Sequence, residues 1–205
     1  MADALTADLP RTDASRPGAI VLARHGEPDI SRKVWLSARG YREFWGRYEQ
    51  KGIRPGQTPP ATLVAQAGQA GTIICSVRPR AIESVNALIG GREVDRHAIL
   101  VEAPLPPPNL PGFVKLTPKI WGFIARFWWW YFNHHEGQET RAQAEIRADK
   151  AADMIEGLAA QGQDVVVLAH GFFNFMIGRS LRKRGWRLTA NQGWKYWSTR
   201  RFERS

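Results

Sequence analysis

The sequence predicts a three-layer α/β/α sandwich around a mainly parallel sheet. Short apolar runs alternate with stretches of helical periodicity along the chain, which is the pattern of helices covering both faces of a sheet. The runs end in polar loops, as buried parallel strands do. The chain of 205 residues, 43% hydrophobic and 23% charged, is long enough for one domain with a real core.

The elements follow in order. Ala19 to Ala23 is the first buried strand, and a loop begins at Arg24. Ser37 reads as the N-cap of a helix that places Tyr41, Phe44, Trp45 and Tyr48 at helical spacing. Gly52 to Pro60 is loop by its Pro and Gly content, and Thr72 to Cys75 is a second strand. A helix opens near Pro79 and turns Ala81, Val85 and Leu88 to one face. Ala98 to Val101 reads as a third strand. Pro104 to Pro111 holds five prolines and excludes any regular element. Gln138 to Leu158 repeats Ala, Ile and Met at helical spacing and is ended by Gly162, Asp164 to Ala169 is a fourth strand, and about Phe172 to Lys183 is a further helix.

Residues 1–18 mix Asp3, Asp8 and Asp13 with Pro10 and Pro17 without apolar periodicity and read as a disordered leader, leaving 19–205 as a single domain. The leader lacks the apolar core and cleavage site of a secretory signal, so a cytoplasmic location is expected. Cys75, the only cysteine, agrees with a reducing compartment. The formal charge of +10 is uneven: Arg179 to Ser205 carries nine Lys or Arg against Glu203, a net +8. Such a field attracts anions, whether phosphorylated small molecules, nucleic acid or an acidic membrane. Trp186, Trp194 and Trp197 interleave with these cations as in single-stranded nucleic-acid sites, but a solvated tail accounts for the run and nucleic acid is not the expected partner. Residues near Asn191 can instead complete the edge of the sheet.

The carboxyl ends of the strands collect reactive groups, where open α/β sheets bind ligands. Arg24 and His25 follow the first strand, Ser76 to Arg80 the second, Glu102 the third and His170 the fourth. Arg supplies a planar fork suited to phosphate oxygens, so Arg24 and Arg80 are candidate phosphate ligands. Neutral imidazole is a nucleophile near neutral pH, and His25 sits in a tight turn between Arg24 and Gly26. His170 can stabilise transition-state charge, and Glu102 can hand a proton to a leaving alkoxide. Arg78 is either a third phosphate-facing group or a solvated loop residue, and Glu27 ranks below the four as a neighbouring carboxylate.

In order and position these segments resemble the histidine phosphatase superfamily, in its phosphoglycerate mutase-like branch. Arg24-His25-Gly26-Glu27 resembles the signature after the first strand, Ser76 to Ser84 the segment with the second phosphate-binding Arg, and Val165 to Gly171 the strand with the second His. Gly137-Gln-Glu139 resembles the start of the following helix. The resemblance implies a phosphoglycerate mutase-like fold, a phosphohistidine at His25, a phosphate pocket of Arg24, Arg80 and His170, Gly26 and Ser31 among the substrate contacts, and Glu102 as the acid. It implies no metal and no cofactor. His134-His135-Glu136 does not argue otherwise, because adjacent side chains point in different directions. Ile30-Ser31 stands where the mutases carry Trp-Asn, and Phe172 and Phe173 replace their Asn and Ser. Those departures favour a phosphomonoesterase acting on a phosphorylated small molecule or lipid-like substrate with an apolar portion, over a phosphomutase. Ala103 to Pro108 follows Glu102 where the family has a Gly-containing segment, which leaves open a weakly catalytic phosphate-binding or membrane-associated module.

One segment lies outside the family pattern. Lys119 to Phe132 has eight aromatics in fourteen positions and sits in an insertion at about 103–137. It is too short to span a bilayer and is interrupted by Arg126. Three readings stay open: core or homodimer packing, a lid on the site, or peripheral membrane contact aided by the basic tail.

Overall fold

The computed structural model describes residues 16–204, so all of the expected leader except Arg16 to Gly18 lies outside the described residues. Among the described residues six helices and six strands follow in the order β1 (Ile20–Arg24), α1 (Ala38–Glu49), α2 (Ala61–Gln69), β2 (Thr72–Ser76), α3 (Pro79–Ile89), β3 (Asp95–His97), α4 (Pro118–Phe132), α5 (Arg141–Ala159), β4 (Val165–Ala169), α6 (Gly171–Lys183), β5 (Arg187–Asn191) and β6 (Thr199–Glu203). The strands form one sheet in the order β3-β2-β4-β1-β6-β5. The pairs β1–β4, β2–β4 and β2–β3 are parallel; β1–β6 and β5–β6 are antiparallel.

The three layers follow from strand alternation. Ile20 and Leu22 of β1, with Val165, Val167 and Ala169 of β4, face Ala148, Ala151 and Ile155 of α5 and Phe173 and Ile177 of α6. Val21 and Ala23, with Val166 and Leu168, face Leu63 and Ala67 of α2 and Val85 and Leu88 of α3. A third cluster joins Tyr41, Phe44 and Tyr48 of α1 to Trp121 and Ala125 of α4 beyond the sheet's carboxyl edge. Helix signals sit where the sequence places them. Ser37 accepts from Gly40 N at 3.3 Å and Pro79 opens α3, while α5 starts later than the sequence suggests, in a capping box of Thr140 and Gln143.

Three elements differ from expectation. Ala98 to Val101 is not a strand: β3 ends at His97 and Ala98–Leu100 makes a 3-10 turn, closed by Val101 N donating to Ala98 O at 3.2 Å. Its apolar residues pack under α5, where Leu100 is buried and Arg147 donates to the carbonyls of Ile99 and Val101 at 2.8 Å. α2 has no counterpart in the sequence reading, because only Leu63 and Ala67 reach the core from it. The basic tail is not a loose solvated run: β5 stays exposed, but the stretch to Asn191 completes the sheet edge, the alternative the sequence offered. It folds into β5 and β6, buries Trp186, Trp197 and Phe202, and pairs Arg201 with Asp164 and Arg204 with Glu156 at 3.0 and 3.3 Å.

Candidate active site

β1 and β4 lie side by side, so their carboxyl ends deliver two histidines to one place. His25 N donates to Ala169 O at 3.1 Å, and the two imidazoles stand 5.2 Å apart, edge to face. Arg80, in the first turn of α3, is fully buried between them: its Nε donates to His25 Nε2 and its Nη2 to His170 Nδ1, each at 3.2 Å. A third Arg80 contact, Nη2 to Glu49 Oε1 at 2.8 Å, balances its charge, and the Tyr48 ring lies 4.8 Å below its guanidinium.

These contacts fix both tautomers. His25 Nδ1 is 2.7 Å from the Gly26 carbonyl, which can only accept, so the proton is on Nδ1 and Nε2 is left with its lone pair. In His170 the Arg80 donor occupies Nδ1, so Nε2 donates to Ser76 Oγ at 3.0 Å. Burial first, and Arg80 next, hold both histidines well below the ordinary imidazole range. Both are neutral at physiological pH.

The loop around His25 is clamped from outside. Gly26 N donates to Ser84 Oγ at 2.8 Å, and Gln57 bonds the backbone of Glu27 at both its N and its O, each at 2.7 Å. The indole of Trp197, held at φ 63, covers Gly26 so closely that a Cβ there would fall 2.6 Å from the ring. Gly171 answers to a similar constraint. A Cβ on it would lie 3.2 Å from Arg24 Nε. Both His-Gly steps therefore leave room for a neighbour's side chain.

Arg24 donates to the Trp194 carbonyl and stacks 4.3 Å over the Tyr196 ring, while its buried Nε has no partner. Arg24, His25 and Arg80 line a cleft of about 300 Å³ together with Arg32, Glu102, Lys119 and Arg126, with Trp45, Phe123, Phe172 and Trp194 as apolar walls. A larger hollow of about 640 Å³ at the amino ends of β2 and β3 lies away from the histidines, its lining setting Glu93 and Asp95 beside Arg92 and Arg96.

Arg24, His25, Gly26, Arg80 and His170 thus converge as the sequence places them. Glu102 lines the same cleft but does not sit at a strand end. It follows the 3-10 turn and caps α6, accepting from Phe172 N and Phe173 N at 3.2 and 2.9 Å, with Arg126 at 4.0 Å. Ser31 does not line the cleft. It is exposed, and its hydroxyl accepts from Lys33 N at 3.3 Å; the adjacent Arg32 turns inward instead and bonds Tyr196 Oη at 3.2 Å. Arg78 pairs with Glu49 at 2.7 Å and Glu27 with Arg54 at 3.1 Å. Tyr48, Glu49, Trp194 and Tyr196 reach the site through tertiary folding, without a motif to mark them. Arg126 did carry a signal, as the one charge between Ile120 and Phe132 of an apolar helix.

The same arrangement of layers and strands occurs in a phosphoglycerate mutase from Bacillus anthracis, which superposes with a TM-score of 0.57 at 17% identity over 93% of this chain and 88% of that one. This is the phosphoglycerate mutase fold. YhfR of Bacillus stearothermophilus shares it (TM-score 0.52, 17% identity, 81% and 80% of the two chains), as does a mycobacterial glucosyl-3-phosphoglycerate phosphatase (TM-score 0.51, 20% identity, 82% and 81%). No family model and no curated protein matches the sequence. The fold accounts for the meeting of β1 and β4 ends; the side chains there argue the chemistry.

Proposed function

We propose that the chain is a histidine phosphatase that hydrolyses phosphomonoesters through a phosphohistidine at His25. The observation that carries this reading is the lone pair on His25 Nε2, fixed by the Nδ1–H bond to Gly26 O and turned toward Arg80 in a cleft whose other donors include an unpartnered Arg24 Nε. Phosphate entering there displaces the Arg80–His25 contact and takes the Arg24 and Arg80 N–H groups as its own partners. Nε2 forms a bond to phosphorus while the P–O bond to the leaving group breaks, and the departing alkoxide takes a proton from the Glu102 carboxyl. Water then attacks the phosphohistidine, Glu102 recovers its proton from that water, and inorganic phosphate leaves. His170, neutral and donating from Nε2, is adjacent to the phosphorus and stabilises its equatorial oxygens after a small rotation.

The aromatic walls support a substrate with an apolar or aromatic body rather than a small polyol phosphate. Among proteins of this fold one is a mutase and another acts on glucosyl-3-phosphoglycerate, so phosphate transfer between positions is the near alternative. A second reading, a phosphate-binding module with slow turnover, is favoured by one contact set: Glu102 is engaged by the α6 N-terminus and must turn away from it to donate.

Assay of p-nitrophenyl phosphate and a panel of alkyl and prenyl monoesters tests the proposal. Wild type is expected to release phosphate without added metal and to yield an acid-labile, base-stable phosphoprotein after rapid quench. His25→Ala should lower kcat by at least about 10³-fold, as loss of a nucleophile does. Full activity in His25→Ala, or no release from any monoester, sinks it.

A further inference from the structure

We infer that the exposed aromatic ridge of α4, with the cationic rim beside it, docks the protein on an anionic bilayer surface, its cleft mouth turned toward the headgroups. One wall of α4 is in the core, where Trp121, Ala125 and Trp129 are buried. The outer wall is bare. Phe123 is 74% exposed, Tyr131 68% and Phe132 63%, and Ile120, Phe127 and Trp128 are each exposed by more than a third. Their spacing puts all six on one broad stripe of the helix. These rings pack on one another, Phe127 on Tyr131 at 4.8 Å and Trp128 on Phe132 at 5.4 Å, and leave their outer faces to solvent. Trp35, 66% exposed, joins the ridge at its amino end, where Leu36 and Leu116 pair backbone to backbone and Arg32, Lys33 and Lys119 share a hollow with it. An apolar patch of this extent marks an interaction surface.

Charge selects the occupant. Ile30 to Arg42 and Ala103 to His135, the two segments that build this face, contain no Asp or Glu. Arg39 and Arg42 are paired with Glu43 and Glu136, and Arg126 is sequestered beside Glu102, but Lys33, Lys115 and Lys119 are exposed at the rim. A second copy related by a two-fold axis sets the patch against itself, cation facing cation with no carboxylate beyond those already paired to Arg39 and Arg42. Anionic headgroups supply the missing charge, and Trp and Tyr with flanking Lys are the residues that settle at headgroup level. α4 has 15 residues. Its length, about 22 Å at 1.5 Å per residue, falls short of the roughly 30 Å hydrocarbon layer. Among the described residues no helix is long and apolar enough to cross a membrane. α4 therefore lies along the interface. Phe123 and Lys119 belong to ridge and cleft alike, so docking holds the cleft mouth at the headgroups. That a phosphorylated amphiphile is reached there rests on the phosphomonoesterase reading; the docking does not.

Flotation of the whole protein with phosphatidylcholine vesicles, with and without phosphatidylglycerol, tests the docking. Wild type should float with the anionic vesicles and markedly less with phosphatidylcholine alone. Phe127→Ser/Tyr131→Ser/Phe132→Ser, none of which lines the cleft, should bind at least about tenfold more weakly while turning over p-nitrophenyl phosphate as wild type does. Lys33→Glu/Lys115→Glu should weaken binding to anionic vesicles only. Failure of wild type to float, or flotation of the triple serine variant equal to wild type, overturns the inference. So does a dimer in sedimentation that the triple variant converts to monomer without any vesicle binding, which assigns the ridge to a second copy. Hydrolysis without flotation removes the docking and leaves the phosphatase; flotation without hydrolysis does the reverse.

Discussion

The proposed nucleophile, His25, is held as a neutral imidazole: the Gly26 carbonyl holds its proton at Nδ1, and burial beside Arg80 keeps a second proton away. The same facts set a pH signature. Unfolded, both imidazoles titrate near 6.5, whereas in the native state His25 and His170 are held well below that value. Above about pH 6.5 both states are neutral and neither histidine contributes. As pH falls below 6.5 the unfolded chain binds protons that the native one refuses, so stability drops by about 1.4 kcal/mol per pH unit for each histidine. Urea denaturation between about pH 5 and 7.5 should show that fall, and His170→Asn should remove about half of its slope; a flat profile contradicts the neutral pair. Glu102 is separable from its structural duty as the α6 cap. The proposed general-acid role matters most for poor leaving groups, so Glu102→Gln should slow an alkyl monoester by about 10²-fold or more and p-nitrophenyl phosphate much less. Equal losses on both substrates would leave it only the capping role. At this scale the sequence identified what lies beside a strand end, Arg24, His25, Arg80 and His170. It missed what comes from a distance: Glu49 approaches along α1 and Tyr196 from the β5–β6 connection, and no local pattern announces either. Ser31 failed for the opposite reason. Its position along the motif is right, but the loop turns Arg32 inward in its place.

Among the elements, α4 shows how one helix serves two environments. Its inner row is keyed into the protein: Trp129 is fully buried and its Nε1 donates to Glu139 O at 2.9 Å, with Arg126 over its ring at 5.2 Å. Trp129→Ala should cost about 3–5 kcal/mol by the cavity it leaves, whereas the outward Tyr131→Ser should stay within about 0.5 kcal/mol of wild type. Paired urea titrations measure both, and a small loss at Trp129 would mean that the helix is held by something other than its buried row. The sequence showed that this segment is apolar nearly all round but not which side faces in, because a helix with no polar face carries no phase. Legibility elsewhere tracks the same physics. β1, β2 and β4, covered on both faces, read directly as apolar runs. β5 did not, since every residue of that edge strand is exposed and only backbone pairing with β6 defines it. The apolar run Ala98 to Val101 misled because burial under α5, not pairing, uses its side chains.

For the molecule as a whole, the charge of +10 is less diffuse than the sequence suggests. Arg184 pairs with Asp153 and Glu156, Arg201 with Asp164 and Arg204 with Glu156, so three of the tail's nine cations are neutralised, against α5 and at the amino end of β4. The cleft is different. Arg24, Arg32, Arg80, Lys119 and Arg126 meet there with Glu102 as the one acidic residue in its lining. A fold that gathers cations at a buried point repels itself until an anion arrives, and the anion's binding energy then adds to native stability. Orthovanadate, a phosphate mimic that can also bond His25, should bind the native state alone. At about 100 times its Kd it should stabilise the protein by roughly 2.7 kcal/mol, raising Tm by about 5–10 °C for a chain of this size. Sulfate at matched ionic strength should give a smaller rise, because it lacks the bond to Nε2. Arg80→Gln should abolish the vanadate shift whatever it does to the starting Tm, since each shift is read against the variant's own baseline. Differential scanning calorimetry decides it: a wild type indifferent to vanadate would mean that the cations around His25 do not form an anion site at all.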